Sequence, residues 1–243
     1  MIRSFPVVLL CSLLMLGGLL AVGADPKAAV DPKCPVGGGE IDESVSADYN
    51  GKKVYFCCAA CVKKFEDDTA KYAVKANQQL VATGQFRQTA CPISGKPCEA
   101  SLTSMVGDVS VAYCCNHCKQ RVTDSEATEQ LALVFGKNFD KAFQATFFLC
   151  GACGQIKGSD TCCAADAETC AKCGLAKGSP GCCRIEKGTD VELCTACGQI
   201  KGSDTCCAED AATCAKCGLA KGSPGCCRIN TNSEAPTTGS GTK

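Results

Sequence analysis

The chain carries 26 cysteines in 243 residues but one histidine, His117, so any metal, redox or cross-linking chemistry here is sulfur chemistry. A deprotonated thiolate is a soft donor, and several together favour zinc, copper(I) or a similar ion over the oxygen-seeking calcium and magnesium. The same side chains can pair as disulfides or exchange them, so spacing must discriminate. Two spacings recur. Cys34 is followed by Cys57, Cys58 and Cys61, and these positions return without insertion or deletion as Cys91, Cys114, Cys115 and Cys118. Farther on, Cys150-x2-Cys153-x8-Cys162-Cys163 repeats as Cys170, Cys173, Cys182 and Cys183, then as Cys194, Cys197, Cys206 and Cys207, then as Cys214, Cys217, Cys226 and Cys227. Such periodicity marks internal duplication.

In the first spacing, a Cys-x3-Cys pair at the start of a helix meets a distant thiolate across a hairpin, an arrangement that can converge on one ion without a large core. The elements to position it are legible. Val45 to Tyr49 and Lys53 to Phe56 read as strands joined at Asn50-Gly51, a dipeptide that favours a type I′ turn. From Cys58 onward Val62, Phe65, Tyr72, Ala73, Ala76 and Leu80 recur at helical spacing, with Gly84 as the stop. Around Gly107-Asp108, Ser101 to Val106 and Val109 to Tyr113 repeat the hairpin. Thr123-Asp124-Ser125-Glu126 has the spacing of a capping box, and Leu131, Phe135, Phe139, Phe143 and Phe147 predict one long helix that Gly136 breaks or kinks. Cys98 and His117 are extra donors near the second set.

Cys34-Pro35-Val36 followed by Gly38 and Ile41, then Tyr55-Phe56-Cys57-Cys58-x2-Cys61-x3-Phe65 with Asp68 and Tyr72 beyond, resembles a YHS domain of the wider TRASH-like group. The resemblance covers residues 34 to about 72. It implies a small treble-clef-like module associated with heavy-metal binding, of the kind found in metal transport and resistance proteins. It carries over Cys34, Cys57 and Cys61 as the metal triad. Gly37 stands where related modules often have a second early cysteine, which leaves Cys58 or an open position as the fourth. The second set resembles the family less, because Val122 replaces the Phe and the Tyr is gone. The implied fold class is small α+β: two tandem treble-clef-like modules of hairpin plus helix, then an irregular Cys-rich repeat region with little regular secondary structure.

In the repeat region each Cys-x2-Cys-Gly looks like a zinc knuckle, whose glycine lets backbone amides approach the sulfurs. Within one unit the four thiolates can share one ion, although adjacent cysteines strain a simple tetrahedral chelate. Across two units, Cys150, Cys153, Cys170 and Cys173 have the Cys-x2-Cys-x16-Cys-x2-Cys spacing of a zinc ribbon, with the doublets left for a second site or for disulfides. A wholly disulfide-stapled array is the competing reading for an exported, Gly-rich repeat.

Export is expected from Arg3, the apolar run Pro6 to Leu20 and the small residues Val22-Gly23-Ala24 before Asp25. The organisation read from the sequence is a signal over 1–24, a linker over 25–33, modules over 34–84 and 85–149, Cys-rich blocks over 150–185 and 186–229, and a disordered tail over 230–243. The signal's apolar run is short for a membrane span, so no span is expected after its cleavage; an uncleaved anchor is the alternative. Cys11 leaves with the signal. Lys plus Arg equals Asp plus Glu at 25 each, and the absence of a basic stripe weighs against nucleic-acid binding. No Ser-His-Asp set or phosphate loop is found, so no enzyme is expected. The expectation is a periplasmic or extracellular thiolate protein that sequesters, buffers or delivers zinc first, or copper(I) or another soft ion, with a metal transporter or envelope protein as partner. A disulfide-stapled envelope scaffold and a thiol–disulfide redox protein are the alternatives.

Overall fold

The computed structural model describes residues 32–230, so the expected signal with Cys11, nearly all of the linker and the tail beyond Asn230 lie outside the described residues. Strands β1 (Asp42–Tyr49) and β2 (Lys52–Phe56) form the first antiparallel hairpin. Its turn residues Asn50 and Gly51 both take positive φ, 50° and 69°, as a type I′ turn requires. The helical run that follows is two helices rather than one. Helix α1 (Ala59–Asp67) ends at Asp68, whose side chain accepts from the Lys71 amide and caps α2 (Thr69–Ala82). Gly84, at φ 72°, stops α2 as expected.

Short β3 (Phe86–Gln88) leads to the second hairpin, β4 (Glu99–Val106) with β5 (Val109–Tyr113), and then α3 (Asn116–Thr123). The register slips between Glu99 and Thr103 as it does between Asp42 and Ser46, so the duplicated sequence has produced duplicated geometry.

The expected long helix is not formed. Helix α4 (Ala127–Phe135) stops at Gly136, whose amide closes on the Ala132 carbonyl, and α5 (Phe139–Ala142) is a single turn. Phe143 and Phe147 then fall in strands β6 (Phe143–Ala145) and β7 (Phe147–Leu149), because β3 and β8 (Val191–Leu193) offer them antiparallel partners. Strand pairing has overridden a four-residue spacing. Nor is there a capping box: Thr123 closes α3, and Glu126 starts α4 without a side-chain cap.

The phenylalanines nonetheless do what their hydrophobicity dictates. Phe135, Phe139 and Phe143 join Val54, Phe56, Phe65 and Leu80 of the first hairpin–helix unit and Val111 and Tyr113 of the second in one core. Beyond residue 149 the chain is almost all turns around a smaller cluster of Phe147, Leu149, Leu193, Leu219 and Ile229. This region is held to the first by Lys52, whose ammonium lies over the Phe147 ring and donates to the Thr146 carbonyl, and by the Arg87–Glu192 ion pair. Among the described residues no helix is long and apolar enough to cross a membrane.

Candidate metal centres

Cys34 sits in a tight turn closed by bonds from its amide to the Gly39 carbonyl and from the Gly38 amide to its own carbonyl. Gly38 reaches φ 70° to make that turn, and the Gly37 amide points at the Cys34 sulfur from 3.3 Å. The end of β2 and the first turn of α1 bring Cys57 and Cys61 to it, so that the three Sγ atoms lie within 4.8 Å of one another. Cys57 and Cys61 are 3.6 Å apart. A disulfide needs about 2.05 Å, whereas a tetrahedral zinc with Zn–S bonds of about 2.3 Å sets its sulfurs about 3.8 Å apart. The spacing is that of a ligand set. Every cysteine from Cys34 to Cys227 carries a free thiol.

Cys58 stands outside this trio, exposed, 3.9 Å from Cys57. A Cβ on Gly37 would lie 3.2, 3.4 and 3.8 Å from the sulfurs of Cys57, Cys61 and Cys34. That position therefore faces the centre of the trio but brings no donor to it. Burial, then hydrogen bonding to the neighbouring sulfurs, pushes the Cys61 thiol up to about 12. Burial also opposes ionisation of Cys34, but the amides of Gly37, Cys57 and Val36 outweigh it and hold that thiol below its ordinary value. Without an ion, Cys34 therefore ionises more readily than Cys61.

The second set repeats this with one change. Cys91 and Cys118 are buried and in hydrogen-bond contact, Cys114 lies 3.7 Å from Cys118, and Cys115 is exposed 3.8 Å from Cys114. Ser94 replaces Gly37, and its hydroxyl is 3.1 Å from the Cys114 sulfur. Burial works against the Cys91 anion, yet the Ser94 hydroxyl and the amides of Cys114, Ser94 and Ile93 bring it down to about 7. Cys98 rests against β5, its sulfur contacted by the Gln88 amide and the Ala112 carbonyl, and His117 is exposed on α3.

Sequence reading missed two polar anchors of these sites, the buried Gln79 and the half-buried Gln88. The Gln79 side chain accepts from the Tyr55 amide and donates to the Tyr55 and Lys33 carbonyls, tying the strand before Cys57 to the segment before Cys34. Gln88 does the same for Ala112, before Cys114. Only the equivalence of Tyr55 and Ala112 in the duplication would have hinted at it.

In the repeat region the cysteines gather within units. The four quartets are Cys150, Cys153, Cys162 and Cys163; Cys170, Cys173, Cys182 and Cys183; Cys194, Cys197, Cys206 and Cys207; and Cys214, Cys217, Cys226 and Cys227. The ribbon combination of Cys150, Cys153, Cys170 and Cys173 is not assembled, since its two halves belong to different quartets. Closest sulfur contacts run from 3.6 Å for Cys194 and Cys207 to 4.0 Å for Cys197 and Cys206. The strain expected of adjacent ligands is relieved in the backbone. Cys163, Cys183, Cys207 and Cys227 take φ between 56° and 58°, which turns both sulfurs of each doublet to one side. A left-handed conformation costs a non-glycine residue about 1–2 kcal/mol. The amide of each of these residues also donates to the second cysteine of its knuckle, as from Cys163 to Cys153 at 3.2 Å.

Ionisation within a quartet is unequal. Amides of Cys173 and Lys172 lower the Cys170 thiol to about 6, while hydrogen bonds to Cys173 and Cys170 push Cys183 up to about 12. Cys214 and Cys227 behave alike in the last unit. Units pack in pairs: the Gly181 amide meets the Gly154 carbonyl and the Ala176 amide the Cys153 carbonyl, contacts that Gly225 and Ala220 repeat with Gly198 and Cys197.

Sulfurs at tetrahedral-edge spacing, collected by turn amides and left unbonded to one another, are donor sets of the kind that could each hold a soft metal ion. The kind of module is given by comparison: residues 31–76, which include Cys34, Cys57, Cys58 and Cys61, match the YHS domain family. Residues 85–149 lie outside that match. No curated protein and no solved structure matches the chain.

Proposed function

We propose that the chain is an exported, multi-site protein that sequesters, buffers or delivers soft metal ions, zinc first and copper(I) as the alternative cargo. The observation that carries this is the repetition of one four-sulfur cage with contacts of 3.6–4.0 Å, the spacing tetrahedral zinc requires. Cys34, Cys57 and Cys61, and Cys91, Cys114 and Cys118, supply further three-sulfur sites; a bound ion there would keep the thiolates deprotonated and slow their oxidation. Export rests on the N-terminal signal pattern, and a metal transporter or envelope protein is the natural partner for delivery. No catalytic role is assigned, because the exposed His117 is the chain's one imidazole.

Native mass spectrometry with elemental analysis of protein purified from its own compartment is the test. Bound ions that leave on chelation, exposing thiols that alkylate without a reductant, are the expected result. A fully cross-linked, ion-free chain would overturn the reading in favour of a disulfide-stapled scaffold.

A further inference from the structure

The doublets Cys57-Cys58 and Cys114-Cys115 have the adjacency of the quartet doublets but not their backbone. In each quartet the second cysteine turns left-handed and joins its neighbour at one centre. Cys58 and Cys115 are instead extended, at φ −167° and −164°, each at the N-cap of its helix. Both are exposed, 3.9 Å from Cys57 and 3.8 Å from Cys114. Each also lies in hydrogen-bond contact with the trio's helical cysteine, Cys61 or Cys118, so the solvent-facing thiol borders two sulfurs of its trio while the third, Cys34 or Cys91, is buried. Gly37 closes one approach to the first trio, since even a methyl group there would lie against all three sulfurs.

We propose that Cys58 and Cys115 are exchange ligands, through which a soft ion passes between a thiol-bearing donor or acceptor and the buried trio. The inference rests on the metal-binding reading of the trios. The step is ligand substitution, and the ion keeps its oxidation state. Cys58 loses its proton to solvent as it bonds the ion, and the departing donor sulfur takes up a proton. Cys34 then bonds the ion, losing its own proton where it carries one, as Cys58 leaves and is reprotonated. Cys57, which gives its proton to solvent as it bonds the ion, holds it across the second exchange, and Cys61 completes the trio as its own proton leaves to solvent.

The full chain, loaded with zinc alone, is mixed in stopped flow with a chromophoric zinc chelator, and native mass spectrometry counts the bound ions. Cys34→Ser with Cys91→Ser identifies the trios' release phase by removing its amplitude and one ion per trio. Cys58→Ser with Cys115→Ser, both at exposed positions, is expected to keep the ion count and that amplitude while slowing the phase about tenfold. An unchanged rate overturns the proposal. So does a lower ion count, which would make these cysteines standing ligands. If Cys34→Ser with Cys91→Ser alters neither count nor kinetics, the trios hold no zinc and the reading beneath the proposal fails with it.

Discussion

Gly37 and Ser94 occupy equivalent places in two otherwise matched turns, and each sets what its trio can accept. Adding a methyl group at Gly37 brings carbon to 3.2 Å from the Cys57 sulfur, closer than ordinary contact, and the sulfurs must spread to admit it. Overpacking of this kind costs about 1–3 kcal/mol, so Gly37→Ala should weaken zinc at the first trio by roughly tenfold or more. Chelator competition would read the loss, with the quartets unaffected. Cysteine identity and spacing were legible in the sequence down to the residue. The left-handed turn at Cys163 and its equivalents was not, because nothing in a Cys-Cys pair announces φ, and the same pair is extended at Cys57-Cys58. The environment of the second cysteine decides, and that environment is tertiary.

At the scale of elements, both hairpins and their turns were legible because Asn50-Gly51 and alternating side chains report local preference. The run from Leu131 to Phe147 was misread as helix because a four-residue aromatic spacing says nothing of the partners waiting for β6 and β7. Gln79 was silent for a related reason: a glutamine within a helix reads as surface until β2 is laid against it. Gln79→Leu would strip partners from both backbone groups of Tyr55 and from the Lys33 carbonyl. At about 1–3 kcal/mol per unsatisfied buried group, a loss of at least about 2 kcal/mol is expected in urea unfolding. Within a repeat unit, pH gives a further check. In the ion-free second unit Cys183 holds its proton up to about 12 and the Cys182 thiol is also raised, so both are protonated at neutral pH. Filling the cage with four thiolates expels those protons, so binding must weaken as pH falls, by about a hundredfold per unit for two protons. Below about 6, Cys170 is protonated as well and the dependence steepens. Zinc retained per chain after equilibrium dialysis between pH 7 and pH 5 would show the decline.

At the scale of the whole molecule, two kinds of cohesion meet at β7. Residues 34–143 share one aromatic and aliphatic core, whereas residues 150–230 bury only small apolar clusters and depend on what their sulfurs hold. Chelation should therefore abolish amide protection across the repeat region in hydrogen-exchange mass spectrometry while β2, α2 and β5 stay protected. Equal loss in both regions would contradict this division. The region's irregular character was legible from its glycines and sparse apolar residues. Its grouping into single-unit cages was not, because two pairings satisfied the same spacing, and the contacts of Gly154 with Gly181 and of Gly198 with Gly225 that pack the units arise only in three dimensions. Copying one cage four times has a consequence for any chain that buffers an ion. Near-identical independent sites fill over the same range of free-ion concentration, so each duplication raises capacity and leaves the set point where it was.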